Sequence, residues 1–143
     1  MLVRLTAPSW MALSAFYGTI SRWMALITKE FESIRQRNRH FQEHGDDFGA
    51  SNASEYEQMA DAFLVGSRTT TVHECIRPNG MKVRYDSADE ALGVLDVGDI
   101  IRTYFKPVPC SSLPGALPAA AKQAGRCHPC ANNLVYFKAE CKK

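Results

Sequence analysis

TTTVHECI (69–76), MKVRYD (81–86), EALGVLD (90–96) and IIRTYF (100–105) decide how this chain folds. Here the pattern of the sequence changes to a period of two, the spacing of strands with two distinct faces. Pro78-Asn79-Gly80 separates the first pair of segments and Val97-Gly98-Asp99 the second, and turn residues in those places predict two hairpins. In the second strand Met81, Val83 and Tyr85 share one face, while Lys82 and Arg84 share the other. Four strands joined in this way read as an antiparallel meander.

Ahead of the strands the period is helical. Ser54-Glu55-Tyr56-Glu57 has the S-x-x-E form of a capping box, with Ser54 as N-cap and Glu57 at N3. Tyr56, Met59, Ala60, Phe63 and Leu64 follow at helical spacing, and Gly66 closes the segment. Over residues 10–36, Phe16, Ile20, Trp23, Met24, Ile27, Phe31 and Ile34 form one apolar stripe, with Thr6 and Ser9 as candidate caps and Gly18 as a bend or break. Arg22 and Lys29 interrupt it, so no apolar run reaches the ~20 residues of a membrane span. WMALSAFYGTI follows Arg4 without the small-residue cleavage site of a signal peptide. Helices segregated from one antiparallel sheet give an α+β domain. The expected organisation is an amphipathic N-terminal helix over 1–38, a core over 39–109 and a Pro- and Cys-containing tail over 110–143. Asn133-Leu134-Val135-Tyr136-Phe137 in that tail is apolar enough to dock back on the core.

Composition admits many functions. The 143 residues are 45% hydrophobic and 22% charged, in the range of a globular chain with one core. A net charge of +2 neither demands nor excludes nucleic acid. Positive charge is clustered: Arg22, Lys29, Arg35, Arg37 and Arg39 precede an acidic stretch from Glu43 to Asp61, and Arg77, Lys82, Arg84, Arg102 and Lys106 follow it. The five cysteines are an odd number and a poor disulfide framework. Cys127-His128-Pro129-Cys130 has C-x-x-C spacing, and Cys110 and Cys141 could complete a zinc site. Plain thiols or one tail disulfide are favoured over that site, because only one such pair exists.

RHFQEHGDDFG (39–49) carries the densest chemistry. His40-Phe41-Gln42-Glu43-His44 matches H-x-x-E-H, an inverted zinc-peptidase motif that needs a third ligand from a later helix. Gly45 directly after His44 is read as the C′ glycine that ends the helix, which places His44 in its last turn and argues against that use. The alternative is metal-free cleavage of RNA. A base must take the proton of the ribose 2′-hydroxyl and an acid must protonate the departing 5′-oxygen. Cations and hydroxyl donors must also stabilise the crowded phosphorane. His40, His44, Arg84, Thr103 and Tyr104 supply those groups, with Lys82, Arg102 and Lys106 available to track the backbone. No Walker loop, G-x-G-x-x-G or G-x-S-x-G competes for the role.

The order RHFQEHGDDFG, SEYEQMADAFL, NGMKVRYD, GDIIRTYFKP and NNLVYFKAE, over roughly residues 38–141, resembles a family of bacterial toxin nucleases. Its members are toxin domains of contact-dependent inhibition and other polymorphic toxins, within the superfamily of barnase, EndoU, colicin D and RelE-like ribonucleases. The resemblance implies helices packed on an antiparallel sheet and metal-independent endoribonuclease activity, often on tRNA, with no cofactor. His40 and His44 fall on the family's histidine segment, Arg84 on its R-Y-D/N strand, and Thr103 and Tyr104 on its last-strand motif. RNA and a cognate immunity protein or antitoxin are the implied partners. The implied place of action is the cytoplasm of the producing or intoxicated bacterial cell, with delivery by secretion. The competing expectation is a non-catalytic relative that binds protein or RNA, with Trp10, Trp23 and Phe31 forming its docking surface.

Overall fold

The computed structural model describes residues 28, 30–115, 117–123 and 125–143. The stripe over residues 10–27, its proposed caps and Gly18 lie outside them. Within them the reading of one helix through residue 36 is corrected. Phe31 forms a parallel bridge with Ile101, and Ser33 is extended. Ser33 then accepts a hydrogen bond from Gln36 N and so caps a separate helix, α1 (Ile34–His44).

Helix α1 passes directly into a 3-10 turn (Gly45–Phe48). Gly45 is right-handed, and the left-handed residue is Gly49 (φ 66°). The expected C′ glycine is therefore four residues late. Gly45 has a packing reason instead, since a Cβ there would come within 2.4 Å of the Phe41 ring. Helix α2 (Ala53–Val65) is capped by Asn52, whose Oδ1 accepts from Glu55 N at 2.8 Å. This corrects the capping-box reading. Asn52 is extended, as a cap must be, whereas Ser54 already lies inside the helix. Glu57 faces inward and accepts from Phe31 N at 3.1 Å. Gly66 ends α2.

The strands are β1 (Val72–Ile76), β2 (Lys82–Asp86), β3 (Ala91–Leu95) and β4 (Ile101–Phe105), ordered β1-β2-β3-β4 and antiparallel throughout. The fold is α+β, a four-stranded meander with α1 and α2 N-terminal to it. The register shifts beside Leu95 on β3, leaving Arg102 as an extra residue on β4 between the Thr103–Val94 and Ile101–Leu95 pairs. After β4 come a 3-10 turn (Cys110–Ser112), α3 (Leu117–Gln123) and α4 (Asn133–Glu140).

Both faces of the sheet are covered. Tyr56, Ala60 and Leu64 of α2 pack with Ala91, Leu95, Ile101 and Tyr104 on one face. Phe137 of α4 packs with Val83, Tyr85, Leu92 and Val94 on the other. All five residues of β3 are therefore buried, which explains its near-continuous apolar run. Helix α2 lies so close at Gly93 that a Cβ there would be 3.0 Å from Leu64. No helix among the described residues is long and apolar enough to cross a membrane.

The structure holds the one tail disulfide that was expected and a second that was not. Cys75–Cys141 ties β1 to the end of α4, and Cys110–Cys127 closes the tail on itself. Cys130 is the free thiol. The odd count concealed two pairs and one remainder, and Cys127 is committed to Cys110 rather than to a C-x-x-C zinc site. Cys75 and Cys141 are 66 residues apart, so their link removes much freedom from the unfolded chain. Replacing both by serine is expected to cost about 4 kcal/mol by loop-closure entropy, checked by urea unfolding in oxidising buffer.

Candidate functional site

The end of α1, strand β4 and the tail border a half-open cavity of about 670 Å³. Its walls include Glu43 and His44 from α1, Asp47 from the 3-10 turn, and Thr103, Phe105 and Lys106 from β4 and its exit. The tail adds Arg126, Cys127 and His128, and α4 adds Tyr136.

Packing of aromatic rings sets the α1 wall. His40 is buried and stacks on Phe31, with ring centroids 5.0 Å apart. His44 lies beside Phe105 at 5.5 Å and 6.1 Å from the His40 ring, as expected for residues one helical turn apart. Burial is the main cause holding the pKa of both imidazoles below the usual histidine value. For His40 the Arg39 charge adds to this, and for His44 the Glu43 and Asp47 carboxylates oppose it. His44 is thus a neutral base with access to the cavity. The buried Nδ1 of His40 has no hydrogen-bond partner.

The β4 wall supplies a hydroxyl and a cation. Thr103 and Tyr104 alternate in direction, so Tyr104 enters the α2-side core while Thr103 faces the cavity. The Thr103 hydroxyl makes no hydrogen bond among the described residues. Lys106 sits over the Phe48 ring at 5.5 Å and forms no ion pair among those residues.

The tail wall is held by three devices. Cys110–Cys127 closes its ends. Cys110 N donates to His128 O at 2.8 Å, and His128 N donates to Val108 O at 2.9 Å. Asn133 is the third. Its Nδ2 donates to Pro107 O at 2.9 Å and to Glu90, leaving its Oδ1 as acceptor for His128 Nε2 at 2.7 Å. Because that Oδ1 can only accept, His128 Nε2 carries the proton of this bond, and the buried Nδ1 has no hydrogen-bond partner. The ring also stacks on Tyr136 at 4.2 Å.

Of the residues selected from sequence, His44, Thr103 and Lys106 line one cavity, and His40 stands directly behind His44. The others lie elsewhere. Arg84 is buried with its donors on protein acceptors: Nε on Glu74 at 2.7 Å, and Nη1 on Phe63 O at 3.0 Å and Gly66 O at 2.6 Å. It fastens the end of α2 to the sheet and lies on a strand separated from β4 by β3. A bidentate hold on a phosphate in this cavity is therefore corrected to a structural role. Tyr104 is core, and Lys82 is on β2 with Arg84. Arg102 at the bulge reaches Glu32 at 3.7 Å and Asp96 at 4.0 Å. Sequence reasoning missed Arg126 and His128. His128 was legible only as part of a C-x-x-C pair, and Arg126 lies in a segment with no periodic signal. No family model and no curated protein matches this sequence.

Because the Arg84 fork satisfies two carbonyls and a carboxylate, Arg84→Lys is expected to lose roughly 2–3 kcal/mol of stability. Thermal melting checks this. Any loss of function in the variant should track the unfolded fraction.

Proposed function

We propose that this chain is a toxin-type, metal-independent endoribonuclease that cleaves RNA, tRNA foremost, by attack of a ribose 2′-hydroxyl. The product is a 2′,3′-cyclic phosphate. The observation that carries the reading is the meeting of His44, Thr103 and Lys106 with Arg126 and His128 on one cavity.

Each group has a chemical part. His44, neutral and half-buried, takes the 2′-hydroxyl proton, and His40 behind it restricts its ring. His128, oriented by Asn133, lines the opposite wall, and the proton that His44 takes from the 2′-hydroxyl is returned from the His44 imidazolium to the departing 5′-oxygen. Lys106 and Arg126 replace Arg84 as the cations that face the phosphate. Thr103 donates to a phosphorane oxygen, a contact that gains strength as charge develops there. Arg102, exposed on the neighbouring bulge, is available to the flanking backbone.

The partners on this reading are RNA and a cognate immunity protein or antitoxin, and the place of action is the bacterial cytoplasm. Two disulfides favour a chain that passes through an oxidising compartment, which suits delivery by secretion.

Purified protein incubated with total tRNA in EDTA should generate fragments ending in 2′,3′-cyclic phosphate. Binding of tRNA without cleavage at any protein excess would instead support the binding-module reading. His44→Ala is expected to slow cleavage by about 10²–10⁴-fold with little change in melting. Thr103→Val removes a hydroxyl that has no described protein partner and keeps the β-branch. Its melting temperature should hold, while turnover falls by about 10²–10³-fold, as for a lost oxyanion donor. A lowered melting temperature with normal turnover would assign Thr103 to the fold.

A further inference from the structure

We propose that His40, Glu43 and His44 form a site for one zinc-class divalent cation, and that occupancy of this site withdraws His44 from the cavity and inhibits cleavage. The second half rests on the ribonuclease reading, and the first does not.

The three residues occupy positions i, i+3 and i+4 of α1 and therefore share one side of the helix. One donor atom from each lies within 4.8 Å of the others, and Glu43 Oε2 is 3.6 Å from His44 Nε2. Tetrahedral zinc with bonds of about 2.0–2.2 Å holds its ligands about 3.4 Å apart, so closing the cluster needs only side-chain rotation. A second observation points to a ligand. His40 is 8% exposed, yet its Nδ1 has no partner, and a buried nitrogen in that state is costly.

The donor set selects the metal class. Two imidazoles and one carboxylate suit zinc and its first-row neighbours. Magnesium and calcium, which take six or more oxygen ligands, are poorly served. Three protein donors leave a further position for water or a phosphate oxygen. Glu43 and His44 line the cavity, so that position is reached from it. A cation bound there takes the His44 lone pair that the proposed proton transfer requires, so binding and proton abstraction exclude each other.

Cobalt(II) is the probe, added to metal-stripped protein with its disulfides intact. One cobalt per chain should bind, with ligand-field absorption but no thiolate charge transfer, and zinc should displace it. Glu43→Gln, a change at an exposed side chain that the fold tolerates, and His44→Ala should each weaken cobalt binding by roughly tenfold or more. His73→Ala, on β1, should not. The site is overturned by absence of a cobalt spectrum, by thiolate charge transfer that places the metal on Cys130, or by unchanged affinity in both variants. In a parallel assay zinc should suppress tRNA cleavage by wild type, and Glu43→Gln should need roughly tenfold more zinc for equal suppression. Cleavage indifferent to zinc at a confirmed cobalt site would overturn the inhibitory half. A chain that cleaves no RNA with or without zinc would defeat the ribonuclease reading and overturn the inhibitory half, while the spectrum still decided the site.

Discussion

Tyr56 is fully buried, and its hydroxyl donates to the backbone carbonyl of Tyr104. The geometry of the cavity depends on this join between α2 and β4. Strand β4 is an edge, and an edge strand needs partners for backbone groups that its neighbour does not use. Here the partners come from the helical side: Tyr56 for Tyr104 O, and Glu30 O for Ile101 N at 2.8 Å. Around the join, Phe48 stacks on Tyr104 at 4.0 Å, and Phe31 and Phe41 flank Tyr56. The same rings hold the end of α1 beside β4. The position of His44 opposite the sheet edge is thus a consequence of aromatic packing, with no hydrogen bond required to aim its ring.

The remaining wall is assembled from much later sequence and depends on polar and covalent ties. Asn133 uses both ends of its amide, joining the exit of β4, the β2–β3 turn and the His128 ring. A buried amide with its donors and acceptor paired is rigid, because each lost bond would strand a polar group away from water. Cys110–Cys127 and the short backbone bridge beside it do the same for the tail. Charge is divided across the cavity. Glu43 and Asp47 stand on the helical side, and Lys106 and Arg126 on the strand and tail side.

The parts of the fold that were readable from sequence are those set by local chemistry. Strand periodicity and the Pro78-Asn79-Gly80 and Val97-Gly98-Asp99 turns announced the meander, because hairpin pairing is decided within a dozen residues. Reading Met81, Val83 and Tyr85 on one face and Arg84 on the other was sound for the same reason. Errors arose where two local signals compete. Asn52 and Ser54 are both good caps, and backbone geometry two residues earlier decided between them. Gly45 and Gly49 both suit a helix end, but the chain tightened into a 3-10 turn before reversing.

The site was only half legible. By itself the sequence determined the α+β class, the two hairpins, and the placement of His40 and His44 one turn apart on a helix. Periodicity and turn chemistry act between near neighbours and need no distant partner. Only the tertiary structure decided that Arg84 is consumed by Glu74 and two α2 carbonyls, that Cys75 pairs with Cys141, and that His128 and Arg126 join His44, Thr103 and Lys106. Those outcomes depend on which distant groups are desolvated together, and on the buried polar atoms that must then find partners in space.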